Sequence, residues 1–142
     1  MTDQSANDLG YMLQHVASQL AKQSDQILQE QLGIGYSQFK ILRTLQTNPR
    51  VKQRQIASDL GQTEASVSRQ IKLMVEAGLL HVNVNPHNRR EHVTVSTAKG
   101  VKLTEAALEA LAKHHATALA ALGDKQRNNL TDSLELLRDS LE

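Results

Sequence analysis

The stretch QRQIASDLGQTEASVSRQIK, residues 53–72, decides the fold of this chain of 142 residues. Apolar residues recur at helical spacing on both sides of Gly61, and a glycine between two short helices is typical of a tight turn that needs a positive φ. The small side chain of Ala57 lets the two helices approach closely. The segment therefore predicts a helix-turn-helix. The residues expected to pack where its helices cross are Ile56, Leu60, Val67 and Ile71.

The second helix of this motif is predicted to run from a cap at Thr63 to about Ala77, and its two faces differ. The apolar side carries Val67, Ile71, Met74 and Val75, and the opposite side carries Ala65, Ser68, Arg69 and Lys72. A major groove about 12 Å wide accepts a helix whose outward side chains are small or hydrogen-bond to DNA. We therefore expect Arg69 to read guanine and Lys72 to touch phosphate. The full set of expected contacts on this helix is Thr63, Ala65, Ser66, Ser68, Arg69 and Lys72.

Alternating apolar and polar residues follow the motif in two short runs, residues 81–84 and 92–95. The polar segment between them, residues 85–91, contains the adjacent Arg89 and Arg90. This pattern predicts a β-hairpin with a long basic tip. A narrow minor groove concentrates negative potential and attracts inserted arginines. We therefore expect the tip to contact DNA beside the recognition helix.

Charge is distributed unevenly along the chain, although the total is only +1. Residues 38–102 contain eleven Lys and Arg against four acids, a net charge of +7, while the segments before and after this block are each net −3. A basic middle between acidic ends is typical of phosphate binding by one part and self-association by the others. Ordinary solvated charge is the alternative interpretation.

Long amphipathic helices are predicted on both sides of the basic middle. The first covers residues 6–31, the next runs from a cap at Thr97 to Gly123, and the last is capped by Asp124. Their apolar stripes are Leu9, Leu13, Val16, Leu20, Ile27 and Leu28 in the first, Val101, Leu108, Leu111, Leu119 and Leu122 in the next, and Leu130, Leu134, Leu137 and Leu141 in the last.

A single domain of this size cannot cover stripes of such length on its own. We expect a second copy of the chain to cover them in a closed two-fold dimer, with a monomeric helical bundle as the alternative. A shorter helix, capped by Ser37 and ended by Asn48-Pro49, leads into the helix-turn-helix. The sequence thus predicts a mainly α (α+β) fold in one domain, residues 1–142. Dimerisation helices are expected in 1–35 and 98–142, and a winged helix-turn-helix in 36–97.

The segments ASVSRQIKLMVEAGLL and NPHNRREHVTVSTAKG, residues 65–80 and 85–100, resemble the MarR family of winged helix-turn-helix transcriptional regulators. The order of the helices is also similar, so the resemblance covers nearly the whole chain. It implies a homodimer with interlocked terminal helices and two recognition helices in successive major grooves of a palindromic double-stranded DNA operator. It also implies wings in the flanking minor grooves, repression of transcription, release by a small anionic aromatic effector, and no cofactor.

The chain departs from the family pattern in the wing, where Asn88-Arg89-Arg90 replaces Asp, any residue and Arg. The family's Asp orients the arginine, whereas Asn88 offers Arg90 a hydrogen-bond acceptor without charge. If the wing works as in the family, Arg90 enters the minor groove and Arg89 mainly touches phosphate. Candidate effector-binding residues on the first helix are Tyr11, Met12 and His15, with helix packing as the alternative.

Other functional classes find less support in the residues. The chain has no cysteine, which removes disulfides, thiolate nucleophiles and cysteine-ligated zinc, and no nucleotide-binding or hydrolase motif indicates an enzyme. Six histidines keep open a zinc-responsive regulator of the same fold, although none are paired at helical metal-site spacing, so no metal is predicted. A helical interaction protein that does not bind DNA is a third alternative. Because no stretch approaches the roughly 18 apolar residues of a membrane span, we expect a cytoplasmic protein without membrane contact.

Overall fold

The computed structural model describes the backbone of residues 1–142 and every side chain except that of Glu91. Two strands, β1 (Leu80–Asn85) and β2 (Asn88–Ser96), form an antiparallel sheet, and a short 3-10 turn follows the fifth helix. The mainly α prediction, with a helix-turn-helix and a hairpin, is confirmed. No helix in the described part of the chain is long and apolar enough to cross a membrane. The helices are α1 (Asp3–Leu32), α2 (Tyr36–Thr47), α3 (Gln53–Leu60), α4 (Glu64–Glu76), α5 (Ala98–Ala118) and α6 (Asp124–Leu141).

The core lies where the C-terminal half of α1, the helices α2 to α4 and the part of α5 up to Leu111 meet. Large apolar side chains from several of these helices are almost completely removed from water, and each contributes about 1.5–3 kcal/mol to folding. The helix-turn-helix therefore rests on a packed base that includes both long helices. The main members of this core are Leu28 of α1, Ile41 and Leu42 of α2, Ile56 of α3, Val67 and Met74 of α4, and Ala107 and Leu111 of α5.

Two helix starts differ from the prediction. Ser37 does not cap α2, because α2 begins at Tyr36, whose backbone N–H donates to Oδ1 of Asp25 at 2.8 Å. A carboxylate of α1 thus supplies the acceptor that a local side chain was expected to give. Asp124 does not cap α6 either, since it is the first helical residue and forms an ion pair with Arg127.

The N-terminus of α5 is bonded to the connection between α4 and β1. Thr97 caps α5 as predicted, its Oγ1 accepting from the N–H of Gly100 at 3.1 Å. The hydroxyl of Thr97 also donates to the carbonyl oxygen of Gly78 at 2.7 Å. The backbone N–H of Thr97 donates to the carbonyl oxygen of Leu79 at 3.0 Å. The long helix is therefore tied directly to the winged region.

The predicted apolar stripe of α5 is wrong at its start. Val101 is 45% exposed, whereas the side of α5 that packs on the core carries smaller residues. A Cβ placed on Gly100 would lie 2.2 Å from the carbonyl oxygen of Leu79, so the backbone approaches too closely for a larger residue. A sequence search for large apolar residues does not find a buried helix face that is made mostly of small residues. Its buried members are Gly100, Thr104, Ala107 and Leu111.

The terminal segments carry apolar residues that the core does not cover. In the N-terminal half of α1, Leu9 and Val16 are about half exposed, and α6 contains no buried residue at all among its described side chains. The prediction that one copy of the chain cannot cover these stripes agrees with this exposure.

Candidate nucleic-acid interface

The turn between α3 and α4 has the geometry of a helix-turn-helix. Gly61 adopts a φ of 63°, in the left-handed region that favours glycine. The next residue's N–H, that of Gln62, donates to the carbonyl oxygen of Ala57 at 2.9 Å. Thr63 then caps α4 as predicted, its Oγ1 accepting from the N–H of Ser66 at 3.1 Å. These bonds fix the direction in which α4 leaves α3.

The recognition helix α4 has a buried side and an exposed side. Val67, Ile71 and Met74 are at most 2% exposed and pack on the core. Val75 was predicted to join them, but it is 38% exposed because it lies about 100° round the helix from Met74, beyond the edge of the core. The outward face is small, polar and basic, as predicted, and its exposed residues are Ala65, Ser68, Arg69 and Lys72.

The first turn of α4 is less simple than predicted. Ser66 is half-buried, and Thr63 is exposed while its oxygen holds the helix cap, which leaves its hydroxyl hydrogen free to donate. Glu64 was not among the predicted site residues, yet it is exposed beside Ala65. Its carboxylate stabilises the helix N-terminus but repels phosphate. The sequence signal for Glu64 is its position directly after the cap residue, because the first turn of a helix favours an acidic side chain.

The hairpin is tighter than the sequence suggested. The strand β2 begins at Asn88, so Arg89 and Arg90 lie in this strand and the predicted long tip is wrong. Only Pro86 and His87 remain between the strands, and the N–H of His87 donates to Oδ1 of Asn85 at 3.0 Å. This Asx-type bond closes the turn early. Both arginines are exposed on the strand.

Asn88 contacts Arg90 through the backbone. Its Oδ1 accepts from the backbone N–H of Arg90 at 3.2 Å. The expected bond to the guanidinium is not among the described contacts. Asn88 therefore holds the backbone at Arg90 and not its guanidinium.

A polar groove of about 290 Å³ lies between the start of α3 and the wing. The sequence did not indicate it, because its two sides are some forty residues apart in the chain. Three of its five lining residues have basic side chains. The lining consists of Lys52, Gln53, Asn88, Arg90 and His92.

The candidate effector residues are not brought together around a cavity. Tyr11 and Met12 are 69% and 64% exposed on α1, and His15 is also exposed. None of the described cavities is lined by them. They lie instead along the exposed N-terminal half of α1.

Comparison with known proteins places the winged region in a family. The model of the MarR family matches residues 34–92, from two residues before α2 into β2. The chain carries a MarR-family domain. The matched family is one of transcription regulators rather than enzymes. No curated protein sequence matches the chain.

Solved structures extend the MarR likeness over the whole fold. A MarR/EmrR family transcriptional regulator from Acinetobacter sp. ADP1 has 22% sequence identity and a TM-score of 0.81, with 96% of each chain covered. The S. aureus MepR–DNA complex has 23% identity and a TM-score of 0.78, covering 93% of this chain and 96% of that chain. CouR from Rhodococcus jostii RHA1, bound to p-coumaroyl-CoA, has 20% identity and a TM-score of 0.77, covering 93% and 92%. At these identities the likeness establishes the fold, terminal helices included.

Proposed function

We propose that the chain is a homodimeric repressor that binds double-stranded DNA sequence-specifically. The observation that carries this proposal is the exposed face of α4. A helix packed on the core by Val67, Ile71 and Met74 presents a face of small, polar and basic side chains on its opposite side. A surface of this kind fits a major groove, whose floor offers hydrogen-bond partners and whose walls are phosphates.

The roles on α4 follow from side-chain chemistry. Arg69 has the planar fork that bonds two acceptors of guanine, so we assign it to base reading. Lys72, one helical turn nearer the C-terminus, is a point charge suited to phosphate. Ala65 allows close approach, Ser68 suits a base or phosphate contact, and the hydroxyl hydrogens of Thr63 and Ser66 suit phosphate. Arg89 and Arg90 would enter or border the adjacent minor groove.

The homodimer is supported by the apolar side chains left uncovered on α1 and α6. The four leucines of the α6 stripe, Leu130, Leu134, Leu137 and Leu141, are 39–84% exposed, and Leu9 and Val16 of α1 are about half exposed. Rows of exposed apolar side chains are typical of a protein–protein interface. The Nε2 of His114, on α5, is buried without a partner among the described residues. A second copy would cover the leucines and give His114 a partner.

A two-fold dimer places two α4 helices on one side of the duplex. Their half-sites should lie about 10 base pairs apart on a palindromic operator, one turn of DNA or a multiple of it. If the operator overlaps a promoter, the bound dimer represses transcription. Because its ligand would be chromosomal DNA, the protein would be cytoplasmic.

Effector release is a further part of the proposal. CouR is described as bound to p-coumaroyl-CoA, and we propose that a small anionic aromatic compound releases this chain from DNA. Because Tyr11, Met12 and His15 line no described cavity, an effector site there would have to be completed by the second copy. The zinc-responsive alternative has no supporting cluster, since the described residues contain no group of three His, Asp or Glu able to hold a metal.

A gel-shift experiment at two salt concentrations tests the proposal. The purified chain should bind its operator tightly at low salt and much more weakly at high salt, because released counterions set the affinity. Arg69→Ala should bind the operator less well while keeping its weak binding to unrelated duplexes. A helical interaction protein would bind neither the operator nor the unrelated duplexes.

A further inference from the structure

A pair of amide side chains bonds the recognition helix α4 to α2. The Nε2 of Gln38, in the first turn of α2, donates to Oε1 of Gln70, in the middle of α4, at 3.4 Å. Both side chains are half-buried. Among the hydrogen bonds of the described residues, this is the one that joins a side chain of α4 to another helix. The residue directly before Gln70 is Arg69, to which we assign base reading.

The flank of α4 that carries Gln70 is separated from α1 by a groove. The groove has a volume of about 510 Å³ and lies between the junction of α1 with α2 on one side and α4 on the other. Asp25 and Gln29 line it from α1, and Gln70 and Leu73 line it from α4. Leu73 is 49% exposed, so apolar packing contributes little on this flank. The bond from Gln38 therefore holds α4 where the core does not.

The buried side of α4 restrains its rotation less than a hydrogen bond does. Apolar contacts are non-directional, so Val67, Ile71 and Met74 hold α4 on the core while resisting a small rotation only weakly. A hydrogen bond depends on distance and angle. A rotation of about 10° would move a guanidinium about 8 Å from the helix axis by about 1.4 Å, more than the roughly 0.5 Å over which N–H···O distances vary.

The same turn of α2 is also fixed to α1. The N–H of Tyr36 donates to Oδ1 of Asp25 at 2.8 Å, and Oδ2 of Asp25 accepts from Nε2 of Gln29 at 3.0 Å. Gln38 lies two residues after Tyr36. Two hydrogen bonds therefore connect α1 to α4 through the first turn of α2, one at each side of that turn.

We propose that Gln38 and Gln70 are positioning residues for DNA recognition, because their hydrogen bond sets the rotation of α4 and so aims Arg69 at its base. The inference rests on the proposed DNA binding, and it assigns neither glutamine a contact with DNA. Loss of the bond removes no charge, so attraction to the phosphates should stay the same. Discrimination between base pairs should fall, since base contacts specify the sequence.

Fluorescence titrations of the full-length chain test this proposal with methionine variants, since methionine resembles glutamine in length but has no N–H to donate. The labelled probes are a duplex that the parent chain enriches from random DNA, the same duplex with the base pair read by Arg69 replaced, and an unrelated duplex. Gln38→Met should lower the ratio of the first two affinities about 3- to 10-fold. Its salt slope and its binding to the unrelated duplex should match the parent chain. Gln70→Met should give the same loss, and the double variant should lose no more than either single variant.

Two further variants separate positioning from packing. Gln70→Glu keeps an acceptor for Gln38, so it should retain the affinity ratio even though its negative charge weakens binding to every duplex. Gln46→Met makes the same change in α2 at an exposed glutamine that accepts from Arg43, and it should bind like the parent chain. All of these variants should melt within a few degrees of the parent.

Unchanged discrimination in Gln38→Met and Gln70→Met would overturn this proposal alone, provided that the parent chain discriminates between base pairs. A loss in only one of the two would also overturn it, and a loss in Gln70→Met alone would indicate that Gln70 reads DNA itself. Weaker binding of Gln38→Met to all duplexes alike would indicate a phosphate contact instead of positioning. Equal losses for Gln70→Glu and Gln70→Met would show that the bond is not the cause. If the parent chain binds no duplex selectively, the proposed function itself fails.

Discussion

The junction between α5 and the winged region depends on a glycine, and Gly100→Ala tests it. A Cβ at this position would lie 2.2 Å from the carbonyl oxygen of Leu79, well inside a van der Waals contact of about 3.5 Å. The two backbones would have to separate by roughly 1 Å. The Leu79 carbonyl resists this movement because it accepts from both the N–H and the hydroxyl of Thr97, at 3.0 and 3.1 Å.

The expected cost combines three effects. Overpacking costs about 1–3 kcal/mol, and weakening the Thr97 bonds adds about 0.5–1.5 kcal/mol. The better helix propensity of alanine returns up to about 1 kcal/mol. With the full alanine gain, the net loss in the free energy of unfolding is about 0.5–3.5 kcal/mol, which lowers the melting temperature by about 2–12 °C for a chain of this size.

Circular dichroism melts at one fixed protein concentration measure this loss, since a dimer's melting temperature depends on concentration. Lys102→Ala is the matched control, because it also places an alanine in α5, at an exposed position two residues further along the helix. The control should change the unfolding free energy by less than about 0.5 kcal/mol. If Gly100→Ala melts at the same temperature as the control, the close approach of α5 to Leu79 is wrong.

Four further predictions concern the recognition helix, the dimer, the wing and the start of α2. Arg69→Ala should cost about 1–3 kcal/mol on the operator and reduce discrimination at one base pair per half-site, whereas Lys72→Ala should weaken all duplexes alike; equal behaviour across a panel of altered sites would refute these roles. Leu134→Lys should give monomers in light scattering, while Leu136→Lys, on the other side of α6, should leave the dimer intact; a dimer in both cases would remove α6 from the interface. Asn88→Ala removes the acceptor of the Arg90 N–H and should weaken binding to the operator a few-fold in titrations; unchanged binding would show that this bond does not orient the wing. Asp25→Ala removes the acceptor of the Tyr36 N–H and should destabilise the chain by about 1 kcal/mol in denaturant melts, with Asp8→Ala, which removes only an exposed bond from Gln4, as its control; equal stability would refute the cap.

The helix-turn-helix could be predicted from the sequence because each of its requirements is local. Gly61 ends α3 in the left-handed region, Thr63 caps α4, and the buried face of α4 repeats at helical spacing. Local sequence signals of this kind predict the same turn and cap that the folded chain contains. The outward residues Ser68, Arg69 and Lys72 followed from the same periodicity.

The features that the sequence did not reveal depend on contacts between distant segments. Asp25 caps α2 from another helix, and a helical pattern cannot show which remote side chain will reach a backbone N–H. The buried face of α5 contains Gly100 and Ala107, whose small size matters only because another backbone lies against them. The groove beside the wing likewise exists only when Lys52 and His92 meet in the fold.

Selection of sequences from a pool of random DNA duplexes tests the central claim most directly. The parent chain should enrich a two-fold symmetric motif with half-sites separated by about one helical turn, and the Arg69→Ala chain should lose part of that preference. A pool that shows no enriched sequence, with binding that any polyanion such as heparin competes away equally well, would contradict sequence-specific recognition by α4.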